Sequence, residues 1–504
     1  MTATGNNNNN SGGPLNLDLQ NGVGAAADDD CFKSLRSNSN TMKKTTKQLW
    51  TILSATVALL AAMNCGATTY TAVTSGAWNV AANWSPSTGY PVAGDTAIIP
   101  TGKAITGLGG ASQACATLTI QGTGSVTVDV NTLTVSGVTT IGSSGAATLT
   151  IASGATFAST STSSGAYVFG GTGSSIVNNG TFTCSGGNGS GGTTPTFQNN
   201  GTATFTGSQQ EFNSAVAVTQ GANATLNLNS SSTSPFGGSS TLTASASGNT
   251  VSYGASGVNI KAATYYNLTI GSPSGTWTGG ASTIAGTLTI GGTGSYANLS
   301  GMTLSGNLAV TGSGTITANA SLAVGGNVTV SSGVLYAQYG INVTGTTTVS
   351  GGTLQLGNQS SGSGTFSGDF SISSGTFNSG YGGQNDAVAF GGNLTVSGGA
   401  FSAGTGVHTF SGSGKTITGT VSIPNVTMSG SYANAGALTV TTALAGSGTL
   451  TQNANATLNI GGTSAISNLA ASANTPNTVA YTGSGAQTVK ATTYDNLTVS
   501  GNAV

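Results

Sequence analysis

Three short segments of the chain repeat one pattern: Gly286-Thr-Leu-Thr-Ile290, Gly306-Asn-Leu-Ala-Val310 and Gly326-Asn-Val-Thr-Val330. Each opens on glycine and then alternates polar with apolar residues, which is typical of a β-strand with one buried face. Successive opening glycines lie 19 to 24 residues apart, and the pattern recurs at Gly345, Gly368 and Gly392. Internal repeats of this length indicate a fold built by stacking similar units.

Strands this short do not form a stable sheet alone. They become stable when each repeat makes one turn of a coil and its strands pair in parallel with the neighbouring coils. Apolar residues then stack inside, Thr, Ser and Asn cover the outside, and Gly and Asn occupy left-handed corners. The sequence therefore predicts an all-β fold, a right-handed parallel β-helix (β-solenoid) of about 20 coils. The predicted inward residues include Leu308, Val310, Val328, Val330, Leu394 and Val396.

The composition excludes several classes of protein. Only nine Lys or Arg and ten Asp or Glu occur in 504 residues, whereas an ordinary soluble domain is roughly 25% charged. Nucleic-acid binding is excluded because it needs clustered cations to neutralise phosphates. Collagen is excluded because the 82 glycines lack a three-residue period. Low charge suits stacked coils, since like charges about 4.8 Å apart on successive coils repel.

The N-terminal region differs from the repeats. Residues 1–41 contain a polyasparagine run and an acidic patch, and are predicted to be disordered or an over-called extension before a start at Met42. Residues 42–67 combine a basic stretch, an apolar run and small residues, which predicts a signal peptide cleaved after Ala67. A lipid-modified Cys65 is the weaker alternative. The apolar run is short for a membrane span. No transmembrane segment follows residue 67, so no membrane insertion of the mature chain is expected.

Two tryptophans and a proline precede the first regular repeat. An open end of a solenoid exposes apolar core and unpaired strand edges, and large rings can cover them. We expect Trp78, Trp84 and Pro91 to belong to an N-terminal cap over residues 68–110, followed by coils over 111–504. The alternative is an aromatic platform that binds a sugar.

Few residues remain that could carry chemistry. After residue 67 the chain has four lysines, no arginine, one histidine and six acidic residues. Polysaccharide cleavage needs paired acids, or carboxylates with Ca²⁺ and a base. Asp369 and Asp386 are the one weak candidate pair, and turn chemistry is the alternative for both. No catalytic, cofactor or metal site is predicted, and His408 is expected at the surface of a strand.

Two cysteines, Cys115 and Cys184, remain in the predicted mature chain. The solenoid places them several coils apart, beyond the ~7 Å Cα limit for a disulfide. We therefore expect two separate, buried thiols.

A longer repeat supports a resemblance. Asn249–Ile270 matches Asn477–Val499, with one extra residue in the second copy. Lys261 and Lys490 recur in it beside tyrosines, and are expected at exposed positions, with binding of anionic glycans as the alternative. Here the sequence resembles bacterial repetitive surface proteins of the adhesin and autotransporter-passenger type, over roughly residues 78–504.

The resemblance implies a secreted, outer-membrane-associated structural or adhesive rod that is not an enzyme. Its expected partners are host or surface glycans and neighbouring cells, with attachment through a further C-terminal domain beyond Val504. One alternative is a carbohydrate-active or polysaccharide-binding β-helix, which would need an acidic cleft. Another is an ice-binding solenoid, suggested by Thr181–Thr183 and Thr346–Thr348, although Ser, Ala and Asn interrupt such a ladder.

Overall fold

The structure is a computed structural model that describes residues 66–500 except 190, 214, 272–281, 295, 298, 300, 358–361 and 384. The chain divides into two units, Met1–Gly66 and Ala67–Val504. The predicted extension 1–41 and nearly all of the predicted signal peptide therefore lie outside the described residues. Ala67 is described and is exposed.

The second unit is a β-solenoid of about 18 turns, which confirms the predicted fold class. Its coils are three-sided, and strands on each side pair in parallel with those of the coils before and after. In the part of the chain that the structure describes there is no α-helix, and single 3-10 turns cover Ala81–Asn83 and Tyr381–Gly383.

Two sheets cover two sides of the N-terminal coils. The first sheet consists of Thr69–Ala72, Thr96–Ile99, Thr117–Ile120, Thr139–Ile141, Tyr167–Phe169 and Asn188–Gly189, with Trp84–Ser85 antiparallel to Thr69–Ala72. The second sheet consists of Gly76–Ala77, Ala104–Gly107, Ser125–Val128, Thr148–Ile151, Ser175–Asn178, Thr196–Asn199, Ala217–Gln220 and Thr241–Thr243. The coil stack thus begins at Thr69, so residues 68–110 themselves contain coils.

The third sheet is the longest and runs through most of the solenoid. Its strands are Gln113–Cys115, Thr132–Val135, Thr156–Ser159, Thr181–Cys184, Thr202–Phe205, Thr225–Leu228, Thr250–Tyr253, Asn267–Ile270, Thr287–Ile290, Asn307–Val310, Val328–Val330, Thr347–Val349, Phe370–Ile372 and Leu394–Val396. Beside it, a second side of the later coils is formed by Thr264–Tyr265, Ser282–Ile284, Met302–Leu304, Leu322–Val324, Ile341–Val343, Ser363–Phe366, Ala387–Phe390 and Val407–Phe410.

The remaining side of the later coils is a fourth sheet. It consists of Tyr296–Ala297, Thr315–Ala318, Val334–Ala337, Thr353–Leu356, Thr376–Asn378 and Ala400–Ser402. The last coils contain Ser413–Met428, Ser431–Asn434, Ala437–Gln452, Thr457–Ile460, Thr463–Ala470, Thr478–Tyr481 and Asn496–Val499.

Two strands of the last coils are far longer than the three to five residues that the repeats predict. Ser413–Met428 and Ala437–Gln452 each have 16 residues and pair with neighbours on all three sides. Each contains a corner glycine in the left-handed region, Gly419 at φ 95° and Gly446 at φ 116°. Pairing therefore continues around the corners, and the ladder adjusts through local shifts in register.

The core lies inside the coils, where the repeats predict it. Leu308, Val310, Val328, Val330 and Leu394 are at most 1% exposed. Val396 is also buried, at 8% exposure. Their outward neighbours, among them Ala309, Thr329 and Thr395, are only partly buried. The predicted inward and outward register is therefore confirmed.

A steric constraint explains why glycine opens each repeat. A Cβ atom at Gly306 would collide with the carbonyl oxygen of Gly286 in the preceding coil, and one at Gly392 would collide with that of Gly368. The coils approach one another too closely at this corner for any side chain. The spacing of these glycines thus marks the length of each coil.

Aromatic and amide side chains also stack inside the coils. Phe157 and Phe182 lie face to face with ring centroids 5.5 Å apart. Elsewhere in the core, Asn178 Nδ2 donates to Asn199 Oδ1 at 2.7 Å, and Asn199 Nδ2 donates to Gln220 Oε1 at 2.8 Å. Like residues on successive coils thus contact and hydrogen-bond one another. The amide ladder ends at Gln220, whose Nε2 has no partner among the described residues.

We expect Leu308→Asp to lower the free energy of unfolding by several kcal/mol, because it buries an unpaired carboxylate in the core. The matched control Thr329→Ser, at an outward position of the next coil, should change it by less than about 0.5 kcal/mol. Thermal or denaturant unfolding followed by circular dichroism measures both. Equal losses from the two variants would contradict the assigned register.

Candidate functional site

The predicted cap residues pack together at the start of the solenoid. Trp78 and Trp84 are at most 1% exposed, and their rings meet edge to face with centroids 5.2 Å apart. Trp78 Nε1 donates to the carbonyl oxygen of Pro91 at 2.9 Å, and Trp84 Nε1 donates to that of Trp78 at 2.7 Å. Buried rings offer no face to a sugar, so the packing favours a structural role for all three residues.

Cys115 and Cys184 are free and buried, as expected. Both point inward from the third sheet and lie three coils apart, roughly 14 Å at the usual strand spacing. Burial raises the pKa of the Cys115 thiol to about 12 and that of Cys184 to about 11. Both therefore remain as unreactive thiols at neutral pH.

The long repeat forms the same hydrogen-bonded loop twice. In the first copy, the Lys261 amide donates to the Tyr253 hydroxyl, while the Tyr265 hydroxyl donates to the Lys261 carbonyl. The Tyr253 and Tyr265 hydroxyl oxygens lie 3.1 Å apart. The second copy repeats each contact among Tyr481, Lys490 and Tyr494. The tyrosines thus hold the lysine loop, and both lysines are half-buried, whereas exposed positions were expected.

Glu211 is a buried carboxyl group that sequence reasoning did not single out. It is fully buried; Ser230 Oγ donates to its Oε1, and its Oε2 has no partner among the described residues. Burial raises the pKa of Glu211 to about 7. The sequence does contain an indication of this site, because Glu211 directly precedes the inward Phe212 in Gln209-Gln210-Glu211-Phe212. Acidic residues are rarely buried next to core residues.

His408 is also buried, and the prediction of a surface position was wrong. The strand Val407–Phe410 turns its even-numbered residues inward, so the ring lies in the core at 0% exposure. His408 Nε2 lies 3.0 Å from Ser379 Oγ, and Nδ1 lies 3.0 Å from the Gly406 carbonyl oxygen. Burial lowers the pKa of His408, so the ring is neutral at pH 7. Serine and histidine are paired here, but the core gives a substrate no access.

The structure places Asp369 and Asp386 at different corners. Asp369 is exposed just before Phe370–Ile372, whereas Asp386 is buried just before Ala387–Phe390. Asp386 stacks over the start of Ser363–Phe366, and that strand, roughly 10 Å long, separates the two corners. Burial raises the pKa of Asp386. The candidate acidic pair is therefore not brought together.

Most other carboxylates hold the backbone. Asp95 accepts the Thr68 and Val92 amides, and Asp129 accepts the Leu108 amide. Asp495 accepts the Asn477 amide at 2.7 Å. These contacts are hydrogen bonds within turns and between neighbouring coils.

The outward face of the third sheet carries two aligned columns of side chains, polar except for two alanines in the second column. The first column is Thr132, Thr156, Thr181, Thr202, Thr225, Thr250, Asn267, Thr287, Asn307, Asn327, Thr346, Asp369, Asn393 and Thr416. The second is Thr134, Ala158, Thr183, Thr204, Asn227, Ser252, Thr269, Thr289, Ala309, Thr329, Thr348, Ser371, Thr395 and Thr418. Ser, Ala and Asn vary the side chains, as predicted, but the register does not shift.

A polar depression opens in this face over four successive coils. It has a volume of about 520 Å³ and is lined by Thr346, Thr348, Asp369, Phe370, Ser371, Asn393, Thr395, Thr416 and Thr418. The Asn393 amide and Nδ2 both donate to Asp369 Oδ1, at 2.8 and 3.0 Å. These hydrogen bonds lower the pKa of Asp369, so its carboxylate is charged at neutral pH.

Within the described ranges, no group of three or more His, Cys, Asp or Glu side chains is arranged to hold a metal ion. No helix there has the length and apolar character needed to cross a membrane. The chain is a β-solenoid repeat protein. Comparisons with family models, curated proteins and solved structures find no match.

We expect Glu211 to make stability depend on pH. The unfolded carboxyl ionises near its ordinary pKa of 4.5, whereas the folded one stays neutral up to about 7. The free energy of unfolding is therefore unaffected by this group below pH 4.5. It falls by about 3 kcal/mol as the pH rises from 4.5 to 7. Glu211→Gln should remove this loss and stabilise the chain at pH 8, measured by denaturant unfolding across pH. A variant with the wild-type pH dependence would contradict the assignment.

Proposed function

We propose that this protein is an exported structural and adhesive rod of the bacterial cell surface, associated with the outer membrane and without catalytic activity. The observation that carries the proposal is the unbroken parallel stacking of the third sheet. Its strands pair from Gln113–Cys115 to Leu394–Val396 without one shift in register. A continuous ladder of this kind makes a stiff spacer with long, uniform faces.

The placement of the charged groups supports a passive role. Asp95, Asp129 and Asp495 accept backbone amides, and Glu211 and Asp386 are buried. Paired accessible carboxylates, which glycoside hydrolysis requires, are not formed by Asp369 and Asp386. Uncharged polar faces instead suit weak, repeated contacts with glycans on host or neighbouring cells.

Export and adhesion can be tested together. The full chain, expressed in a Gram-negative bacterium, should reach the cell surface or the medium. Beads coated with purified chain should adhere to bacterial or epithelial cells at least tenfold better than beads coated with the heat-unfolded chain. The same protein should release no reducing ends from polysaccharides. Retention in the cytoplasm, equal adhesion of both bead types, or cleavage of a polymer would contradict the proposal.

Ice binding is a second candidate, favoured by one observation. Six successive coils place threonine in the first column of the third sheet: Thr132, Thr156, Thr181, Thr202, Thr225 and Thr250. Strand spacing sets these hydroxyls about 4.8 Å apart on a rigid face. Regular, uncharged hydroxyls of this kind can order a layer of water against ice.

If this candidate holds, the purified chain should show a gap between freezing and melting temperatures. The double variant Thr181→Lys with Thr202→Lys should lose most of that gap, because long cations break the flat face. Thr127→Lys, at an outward position of the second sheet, is the matched control and should keep it. Absence of a gap in the unmodified chain removes this candidate.

A further inference from the structure

We propose that the polar depression of the third sheet binds a linear, neutral oligosaccharide laid along the solenoid axis. The inference rests on the proposed adhesive function and names the ligand class and the residues that hold it. It starts from the one charged side chain in the two polar columns, Asp369, which lies inside the depression.

The chemistry of the lining selects the ligand. Threonine and serine hydroxyls both donate and accept hydrogen bonds, whereas the ionised Asp369 carboxylate only accepts them. Neighbouring sugar hydroxyls can both donate to one carboxylate, and such charge-assisted bonds are the stronger kind. A negatively charged ligand would meet Asp369 with like charge. The ring of Phe370 is buried, so the depression offers an apolar ligand little surface.

The repeat geometry suits a polymer. The lining comes from four successive coils, and each coil presents two outward polar positions. Coils rise about 4.8 Å, and alternate residues of one strand lie about 6.6 Å apart. A chain of sugar rings along the axis therefore meets a new pair of polar groups at each coil.

The depression is also preorganised. Asn393 is bonded to Asp369 on one side, and its Oδ1 accepts the Thr416 amide at 2.9 Å on the other. Ser371 Oγ donates to Thr348 Oγ1 at 3.3 Å. Side chains that are already fixed lose little entropy when a ligand binds.

Two variants isolate the site. Asp369→Asn removes the charge and should keep the fold, because asparagine occupies the same column position at Asn327 and Asn393. Thr395→Arg fills the depression with a long side chain. The matched control is Asp495→Asn, since Asp495 also accepts a backbone amide and an asparagine Nδ2 but lies outside the depression.

The experiment titrates the full chain with linear tetra- to hexasaccharides of glucose, mannose, galactose and N-acetylglucosamine, followed by calorimetry or NMR. We expect saturable binding of at least one, weakened at least tenfold by Asp369→Asn and by Thr395→Arg and unchanged by Asp495→Asn. Binding of none, or any other pattern among the variants, overturns the inference. Adhesion of coated beads without such binding would leave the proposed function standing while this inference fails.

Discussion

The rest of the structure depends on the close approach of one coil to the next. Parallel hydrogen bonding holds strands about 4.8 Å apart, and at the repeat corner this leaves no room for a Cβ between Gly306 and the carbonyl of Gly286. Once this distance is fixed, each inward side chain packs on the inward side chains of the neighbouring coils, and each outward side chain lies about 4.8 Å from the equivalent ones. Scarce charge, abundant threonine and regular glycine all follow from that single distance.

Stacking also explains how amide side chains in the core find hydrogen-bond partners on neighbouring coils. Asn178 donates to Asn199 and Asn199 donates to Gln220, and Asn434 donates to Gln452 in the same way at 2.8 Å. An amide both donates and accepts, so it can continue a ladder that a carboxylate would break. The ladders end on Gln220 and Gln452, whose Nε2 atoms have no partner among the described residues. The Glu211 carboxyl also leaves one oxygen without a partner there, and its burial raises its pKa.

Local pattern was enough to predict the coils, since Leu308 or Val330 is identified as inward by its alternation with polar neighbours alone. The buried position of His408 was not predicted because its strand has only two inward positions, and the histidine occupies one of them beside Phe410. The two columns and the depression at Asp369 were also not predicted from the sequence. They are formed by residues about 20 positions apart that the strand register brings together. Because the loops between strands vary in length, this register cannot be read from the sequence. The long strand around Gly419 was not predicted either. A glycine in the sequence indicates the end of a strand, whereas here the chain turns a corner at Gly419 and the pairing continues.

The direction of the backbone hydrogen bonds has a mechanical consequence. In the third sheet these bonds run along the axis of the stack, from each coil to the next. A pulling force along that axis would load the bonds of one coil interface in tension, side by side, rather than shear many strands past one another. Extension would then proceed as successive ruptures of similar size, each releasing about 20 residues of slack. Such a chain would unfold in steps and dissipate work at each step. A single sheet loaded in shear would instead resist up to one high force and then unfold completely.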